Sequence, residues 1–517
     1  MTTRRETTCC GAGLPSGNAV ATLFGRFFPR LRGGVHPQGR KELAADCPIR
    51  VLPLPKTFFL PLQQHIGAPA KPVVNIGDHV LKGQLIAAAQ GAVSSSIHAP
   101  TSGVVTALGD NPAPHPSGLP VPTITLESDG EERWIETETL DDPFALSEEE
   151  IAARVAAAGI VGLGGATFPA ALKLSLSRGV QTLIINGGEC EPYLTCDDRI
   201  MRERAARIVE GIRLIAYAVG AKEVLVGIED NKQEAIQAMR SAARNSAVKV
   251  VEMPSMYPMG SEKQIIQVLT GREIPAGGRP ADIGVLVHNV ATAYAVQQAI
   301  RFGRPLISRI VTVSGGAIRV PCNVEALIGT PVQALIELAG GYAQPAARLV
   351  LGGPMMGQHF VNTAVPVVKG TSGVLALTSA EIGQDAASPC IRCSTCVRAC
   401  PVGLVPLEMA SRIRAGDLSG AVDLGLKDCI ACGSCSYVCP AHIPLVHYFN
   451  YAKGELAAQE RSKLKQEATK KLAEARGERI ARIERERAEA MAKRKAAREA
   501  KERAARAAAD KAETETA

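Results

Sequence analysis

Residues 390–401 read CIRCSTCVRACP, and the same arrangement returns at residues 429–440 as CIACGSCSYVCP. Each run spaces its cysteines as C-x2-C-x2-C-x3-C-P, the pattern of bacterial ferredoxins that hold two [4Fe–4S] clusters. Three cysteines at two-residue gaps let a tight loop wrap one face of a cuboidal cluster, with its backbone amides directed at the sulfur atoms. The fourth ligand must come from another direction, so the distal cysteine of each run is expected to serve the other cluster.

This spacing predicts two cluster sites of four cysteines each. One site comprises Cys390, Cys393, Cys396 and Cys439, and the other comprises Cys400, Cys429, Cys432 and Cys435. A pair of tetrahedral zinc sites is the alternative, but zinc does not account for three evenly spaced cysteines plus a fourth followed by proline. The 28 residues between the runs can form two short helices, which predicts a helical ferredoxin-type domain over residues 386–445. With neither cluster offering an open ligand position, electron transfer is favoured over substrate chemistry.

The whole chain has 517 residues, of which 46% are hydrophobic and 21% charged, enough for several domains of roughly 150 residues each. No stretch reaches the roughly 18 uncharged apolar residues of a membrane-spanning helix, and residues 1–30 lack the apolar core of a secretory signal. An integral membrane protein, an exported protein and a mostly disordered chain are therefore disfavoured. Fourteen cysteines in a long chain of this kind indicate metal binding in a reducing compartment.

The regions before the cysteine runs differ in composition and in hydrophobic pattern. Residues 1–32 are expected to be a disordered extension, and residues 33–110 predict a small β domain from short apolar segments separated by Gly and Pro. Residues 74–105 resemble the hairpin repeat of biotinyl and lipoyl carrier domains, but the tip at residues 90–94 lacks the modifiable lysine. We therefore expect a scaffold without a swinging arm. A proline-rich linker is predicted at residues 111–145.

Residues 146–306 alternate helical patterns with β-branched runs at 180–185, 223–228, 248–253 and 284–288. This alternation predicts an α/β domain with a mainly parallel sheet. Residues 307–345 resemble the β-grasp insert called SLBB, and residues 346–385 are expected to connect it to the cysteine domain.

Residues 455–517 form a tail of Ala, Glu, Lys and Arg, predicted to be a charged helix or disordered. Between residues 461 and 517 there are 18 Lys or Arg against 11 Asp or Glu, a difference equal to the net charge of +7 of the whole chain. Such an arm is suited to an acidic partner or an anionic membrane surface. A basic tail alone does not support nucleic-acid binding.

A glycine-rich stretch at residues 162–173 reads GLGGATFPAALK. It is a poor dinucleotide fingerprint, because a helical pattern rather than a strand precedes it and Thr167 takes the third glycine position. As a phosphate loop it is better: Gly162, Gly164 and Gly165 permit close backbone approach, a helix opens at Pro169, and Lys173 adds positive charge. A tight turn between helices is the alternative.

Four motifs follow one another along the α/β region: GLGGATFPAALK, NGGECEP at residues 186–192, YPMGSEK at 257–263 and HNV at 288–290. Together they resemble the FMN- and NADH-binding motifs of the flavoprotein subunit of respiratory complex I. With the carrier-like domain, the β-grasp insert and the two cysteine runs, residues 33–445 are similar to the RnfC family, the C subunits of Rnf ion-translocating electron-transport complexes.

The resemblance implies a set of cofactor-binding residues. The FMN phosphate and ribityl chain would be held by Gly162, Gly164, Gly165 and Lys173; the flavin would be lined by Asn186, Glu189, Gly260, Glu262, His288 and Asn289; and NADH would meet Phe168 and Glu191. The chain departs from the complex I pattern at Leu163, Gly188 and Ser261, where an arginine, an acidic residue and a glutamate are expected.

The resemblance also implies a function. NAD(H) exchanges two electrons as hydride whereas iron–sulfur clusters pass one at a time, so FMN belongs between them. The chain would be a peripheral subunit at the cytoplasmic face of the inner membrane, within an ion-translocating ferredoxin:NAD oxidoreductase of the translocase class. Its partners would be other Rnf subunits, NAD(H), and ferredoxin directly or through another subunit. The alternatives are a cobalamin reductase of bacterial microcompartments and an electron-transfer adapter that has lost its flavin.

Overall fold

The computed structural model describes residues 22–23, 26–27, 32–177, 179–383 and 386–515. The predicted extension at residues 1–32 falls mostly outside these ranges; within it, Thr22–Leu23 (β1) pairs antiparallel with Arg26–Phe27 (β2). Among the helices that the structure describes, none is both long and apolar enough to cross a membrane.

The first domain is a sandwich of two small antiparallel sheets. One sheet has the order β4-β10-β9-β6 and the other β5-β7-β8, with the strands at Thr57–Pro61 (β4), Lys71–Pro72 (β5), His79–Val80 (β6), Leu85–Ala88 (β7), Ile97–His98 (β8), Gly103–Pro112 (β9) and Pro120–Ser128 (β10). Alternate residues such as Phe58, Leu60, Ile124 and Leu126 are fully buried between the sheets. This arrangement confirms the predicted carrier-like β domain.

Strand β10 lies within the residues predicted to be a linker. It pairs with both β9 and β4 and buries Ile124 and Leu126. Two of the prolines that suggested a linker, Pro112 and Pro120, stand opposite each other where the two strands meet the hairpin loop, at the end of the ladder, where the loss of an amide donor costs the sheet least.

The second domain is an α/β layer structure with a four-stranded parallel sheet. Its elements are Glu148–Ala157 (α1), Ala170–Leu176 (α2), Thr182–Gly187 (β11), Cys196–Val219 (α3), Glu223–Glu229 (β12), Gln233–Ala243 (α4), Val248–Met253 (β13), Glu262–Thr270 (α5), Val285–Asn289 (β14) and Val290–Phe302 (α6). The strand order is β13-β12-β11-β14. Strands β12 and β13 follow β11 on one side, whereas β14 lies on the other side of β11. The direction of strand addition therefore reverses between β11 and β14. The crevice at this topological switch point is the usual ligand position in open α/β sheets.

A mixed six-stranded sheet forms the β-grasp region. Its order is β18-β17-β19-β15-β16-β3, from Arg50–Val51 (β3), Ser308–Ser314 (β15), Cys322–Leu327 (β16), Arg348–Leu351 (β17), Gln358–Phe360 (β18) and Gly373–Leu377 (β19), with Val332–Leu338 (α7) and Ser379–Ile382 (α8). The segment expected to be a connection, residues 346–385, thus supplies three strands. Buried residues on both β15 and β19 fix that pairing, and this long-range contact has no local sequence signal.

The cysteine-rich domain is helical, as predicted. It contains Thr395–Ala399 (α9), Pro406–Arg414 (α10), Leu418–Asp423 (α11), Ser434–Tyr437 (α12) and the start of Leu445–Glu515 (α13). Helix α13 buries Phe449 and Ala452 in this domain, and its side chains from residue 461 to residue 508 are almost all exposed. Its 71 residues span about 107 Å at the helical rise of ~1.5 Å per residue. Of the two alternatives for the tail, the structure has the helix.

Candidate functional site

The two cysteine runs repeat one backbone conformation. Arg392 and Ala431, which follow the first cysteine of each run by two residues, have φ of 55° and 54°. Their amides donate to the sulfur atoms of Cys390 and Cys429, each at 3.4 Å. The backbone amides therefore point at the thiols, which is the feature that a cluster-binding loop requires.

One set of four thiols surrounds a single cavity. Cys400 of the first run joins Cys429, Cys432 and Cys435 of the second, and the remaining walls are mainly apolar, from residues such as Leu404, Met409 and Phe449. Burial, reinforced by the neighbouring cysteines, raises the pKa of Cys435 to about 12. Four crowded thiols in an apolar cavity are costly to ionise unless a metal centre neutralises them, so these residues fit a cluster. We call this set the inner site.

The second set lies nearer the surface. Cys390 and Cys393 are exposed, while burial and the neighbouring Cys439 shift the pKa of Cys396 upward despite amide contacts that oppose it. Helix α9, which carries Cys396, packs against α12 of the other run. We call Cys390, Cys393, Cys396 and Cys439 the outer site. Nowhere in the described ranges do three His, Cys, Asp or Glu side chains converge to hold a single metal ion.

The glycine-rich stretch forms a closed loop beside the switch-point crevice. The amide of Gly162 donates to the Phe168 carbonyl at 2.8 Å, and that of Thr167 donates to Gly162 at 3.1 Å. None of the hydrogen bonds formed among the described residues uses the amides of Gly164, Gly165 or Ala166. A Cβ added at Gly165 would meet only open space, so this side of the loop is accessible. Consecutive free amides form an anion cradle, which fits a phosphate group.

The loop lies directly against the end of β14. A Cβ added at Gly164 would be 3.3 Å from the Asn289 side chain. The buried guanidinium of Arg309 donates to the Leu163 carbonyl in the loop at 3.2 Å. It also donates to the Thr371 carbonyl at 3.3 Å, so it links the loop to the β-grasp region. Leu163, which replaces an arginine of the complex I pattern, is itself buried in the core.

Lys173 and Glu262 face each other at the crevice. The lysine Nζ lies 2.8 Å from the Glu262 carboxylate and 3.1 Å from the Val287 carbonyl. Burial and the positive charge of Lys173 lower the pKa of the adjacent His288 to about 3, so its imidazole is neutral. The Nε2 atom of His288 is buried and has no partner among the described residues. The unpartnered ring nitrogen therefore fits a polar ligand group placed beside it.

Two asparagines tie the crevice together. Asn186, near the end of β11, donates to the Gly260 carbonyl at 2.8 Å. Asn289 donates to Asp197 at 2.6 Å and caps helix α6 by accepting from the Ala291 amide. A side chain at Gly260 would collide with the Gly188 carbonyl, so the two loops require glycine at this point.

The carboxylates of both glutamates in the NGGECEP motif accept hydrogen bonds from backbone amides of the chain itself. Glu189 accepts from the amides of Asp197 and Asp198 at the start of α3, at 3.0 and 3.4 Å. Glu191 accepts from the amides of Met355 and Met356 at 3.0 and 2.9 Å, and burial raises its pKa to about 7. Phe168 is half-buried beside the glycine loop. Whether Phe168 and Glu191 meet a nicotinamide stays a prediction.

Sequence reasoning missed two residues of this region. Asp197 is half-buried beside Asn289, and desolvation together with the charge of Glu189 raises its pKa to about 7. Arg309 reaches the glycine loop from a strand 146 residues further along the chain. Asp197 could have been noticed as an acidic residue shortly after NGGECEP, whereas nothing local marks Arg309.

Comparison with known families confirms the predicted fold class, a barrel-sandwich domain, an FMN-binding α/β domain, an SLBB insert and a two-cluster ferredoxin domain. Residues 29–131 match the RnfC barrel sandwich hybrid domain, 155–298 the Nuo51 FMN-binding domain, 310–358 the SLBB domain and 389–443 a 4Fe-4S dicluster domain. The first match includes β10, in agreement with its place in the sandwich.

Similar proteins cover most of the chain. The C subunit of the ion-translocating oxidoreductase complex of Rhodobacter capsulatus is 54% identical over 87% of each chain. The C subunit of the Pseudomonas aeruginosa complex is 46% identical over 85% of this chain and 57% of its own length. The C subunit of the proton-translocating ferredoxin:NAD(+) oxidoreductase complex of Clostridium ljungdahlii is 44% identical over 84% of this chain and 96% of its own.

A solved NAD+-reducing [NiFe]-hydrogenase superimposes over 63% of both chains with a TM-score of 0.44 and 18% identity. The four domain matches and the sequence identity to relatives both indicate an electron-transfer subunit with an FMN-binding domain and two iron–sulfur clusters. The chain belongs to the RnfC family, the C subunits of Rnf-type ion-translocating oxidoreductase complexes.

Proposed function

We propose that the chain carries electrons between NAD(H), FMN and two [4Fe–4S] clusters within a membrane-bound complex. The complex couples ferredoxin:NAD oxidoreduction to ion movement and so belongs to the translocase class. The observation that carries this proposal is the position of the inner site, which contacts the same loops of the α/β domain that border the glycine-rich crevice. Tyr257 donates to the Cys432 carbonyl at 2.6 Å, only a few residues before Gly260 and Glu262.

In this proposal the crevice residues bind and orient FMN, which supplies the exchange between hydride and single electrons. The phosphate is held by the free amides of Gly164 and Gly165, in the loop that begins at Gly162, and by the ammonium of Lys173. The flavin is lined by Asn186, Glu189, Gly260, Glu262, His288 and Asn289, and NADH enters beside Phe168 and Glu191. Because His288 is neutral, it offers a hydrogen bond without adding charge to the site.

The eight cysteines take two distinct roles in the same proposal. The inner site (Cys400, Cys429, Cys432, Cys435) lies against the flavin domain in a cavity lined mainly by apolar side chains. The outer site (Cys390, Cys393, Cys396, Cys439) has two exposed cysteines and is where a one-electron carrier can approach. That carrier is ferredoxin or another subunit of the complex. Crossed ligation keeps both sites close together.

We further propose that the chain is a peripheral subunit at the cytoplasmic face of the inner membrane. The names of the relatives, which include a proton-translocating ferredoxin:NAD(+) oxidoreductase subunit, support this assignment. The basic, exposed part of α13 is suited to an acidic subunit or to the anionic headgroups of that membrane.

Membrane vesicles with their cytoplasmic face outward test the proposal. Supplied with reduced ferredoxin and NAD+, they should form NADH when they contain the wild-type chain, and the rate should fall at least tenfold with Lys173→Glu or Cys393→Ala. An ionophore should change the wild-type rate, because ion movement is coupled to the reaction. NADH formation that persists in both variants would contradict the proposal, and co-purification with microcompartment shell proteins would favour the cobalamin reductase.

A further inference from the structure

A contact between the α/β domain and the inner site is built from buried hydrogen bonds. The Tyr257 hydroxyl donates to the Cys432 carbonyl at 2.6 Å, and the Gln264 amide donates to the Pro401 carbonyl at 3.4 Å. Tyr257 is 2% exposed and Gln264 is 3% exposed. Both acceptors are main-chain carbonyls at the inner site. One belongs to Cys432 itself, and the other belongs to Pro401, the residue that follows Cys400. We call Tyr257 and Gln264 the docking pair.

The position of Tyr257 is fixed by its backbone. Its amide and carbonyl both hydrogen-bond to Val35, at 2.9 and 2.8 Å. The neighbouring Gly34 amide donates to the Ala399 carbonyl at 3.0 Å, and a Cβ added at Gly33 would lie 2.4 Å from the Cys400 carbonyl oxygen. Residues 33–35 thus form a short strap that joins the Tyr257 loop to the segment carrying Cys400.

The Tyr257 side chain also links the crevice to the inner site through direct packing. Tyr257 and Cys432 belong to one small apolar cluster, against which Cys190 and Met355 pack. Cys190 lies within the NGGECEP motif and accepts a hydrogen bond from the Gly260 amide at 3.3 Å. Tyr257 therefore places the loops that border the crevice in direct contact with the cysteine loop.

We propose that Tyr257 is a positioning residue that seats the inner cluster against the flavin crevice and raises the reduction potential of that cluster. Reduction adds negative charge to the cluster, and a hydroxyl that points its proton at the adjacent peptide carbonyl stabilises that charge. Hydrogen bonds and burial around the ligands are among the factors that set iron–sulfur potentials. The low dielectric of a buried contact strengthens the effect. The inference rests on the proposed function in that the inner site holds a cluster.

Gln264 acts on the same site in the same direction. Its side-chain amide donates to the carbonyl of Pro401, the residue after Cys400, but the 3.4 Å distance is longer than the 2.6 Å of the Tyr257 hydrogen bond. A smaller effect is therefore expected from Gln264 than from Tyr257.

The test is a redox titration of purified protein with a chemical reductant, followed by electron paramagnetic resonance. Tyr257→Phe keeps the ring and removes the hydroxyl. We expect the potential of the inner cluster to become more negative while that of the outer cluster and the iron content stay unchanged. Cys393→Ser, which perturbs only the outer site, assigns the two signals. Tyr193→Phe is the matched control: Tyr193 is also buried, but its hydroxyl donates to Glu381, so neither potential should move.

Gln264→Met gives a second measurement that removes a donor without removing the tyrosine. It should shift the inner potential in the same direction by a smaller amount. The inference is overturned if Tyr257→Phe leaves the inner potential unchanged or shifts both clusters equally, or, where that variant loses iron, if Gln264→Met produces no shift. Because a chemical reductant replaces NADH, failure of NADH to reduce the wild-type clusters would count against the proposed function and leave this comparison intact.

Discussion

Lys173 is the only described side chain that brings positive charge to within hydrogen-bonding distance of Glu262 at the crevice. If it holds the FMN phosphate, Lys173→Glu should lower FMN affinity at least tenfold, because a second carboxylate would repel both the phosphate and Glu262. The bound flavin is measured by fluorescence after denaturing the purified protein.

A charge exchange separates phosphate binding from the ion pair itself. The double variant Lys173→Glu with Glu262→Lys restores an opposite-charge pair but moves the positive charge to α5. We expect it to remain poor in flavin. Full FMN occupancy in the double variant would mean that position 173 matters only through its pairing with Glu262.

Glu191 provides a prediction of pH dependence. Its pKa is raised by burial to about 7, so between pH 4.5 and 7 the folded protein holds more protons on this group than the unfolded chain does. The contribution of Glu191 to the free energy of unfolding therefore decreases as pH rises through that window, by about 1–3 kcal/mol. Glu191→Gln removes the group, so the stability of the wild type relative to this variant should decline from pH 5 to pH 7.5.

Thermal melting of both proteins across that range checks the prediction, with Glu136→Gln on an exposed residue as the control. A stability difference between wild type and Glu191→Gln that is constant with pH would show that Glu191 does not titrate in this window.

At this scale the sequence predicted best where chemistry depends on local spacing. The cysteine pattern alone grouped Cys400 with Cys429, Cys432 and Cys435, and the structure brings these four together. The roles of Arg309 and Tyr257 could not be predicted, because each acts on residues more than 100 positions away. The glutamates show a further limit: a motif gives the residue type but does not reveal that Glu191 already holds the backbone of another segment.

Among the elements, the two cysteine runs make a crossed-ligation prediction. Cys400→Ala should abolish the same paramagnetic signal as Cys432→Ala, even though the two residues belong to different runs. Cys439→Ala should in turn match Cys393→Ala. Each variant should lose roughly half of the iron, because one of two clusters loses a ligand. The ligand assignment would be wrong if Cys400→Ala abolished the signal that Cys393→Ala abolishes.

Strands with strong local patterns were predicted well, and strands fixed by distant pairing were not. The run 248–253 corresponds to β13, and 223–228 differs from β12 by a single residue. In contrast, the prolines in and beside β10 favoured a linker over a strand. Strands β17, β18 and β19 are short, and their burial depends on the sheet in which they pair. Alternation and β-branching identify a strand, but sheet membership is a long-range property.

For the whole molecule, α13 divides into a part that belongs to the cysteine domain and a part that does not. Phe449 and Ala452 are buried, and Lys453 donates to the Cys429 carbonyl, whereas the side chains from residue 461 to residue 508 are almost all exposed. A chain ending after Glu460 should therefore keep its melting temperature, iron and flavin.

A chain ending after Tyr448 is the matched comparison. It loses Phe449, and the removal of this buried aromatic side chain alone should lower the free energy of unfolding by about 3–5 kcal/mol. We expect this truncated chain to lose the inner cluster as well. Iron content and thermal melting distinguish the two truncations. A lower melting temperature for the Glu460 truncation would show that the exposed helix packs on the rest of the protein.

An anaerobic NADH titration of the purified wild-type protein tests the central claim, a continuous path from nicotinamide through flavin to both clusters. Flavin and cluster absorbance are recorded together after each addition of NADH. We predict that both bleach. Flavin that is present but stays oxidised, or flavin that bleaches while the cluster absorbance is unchanged, would contradict the claim.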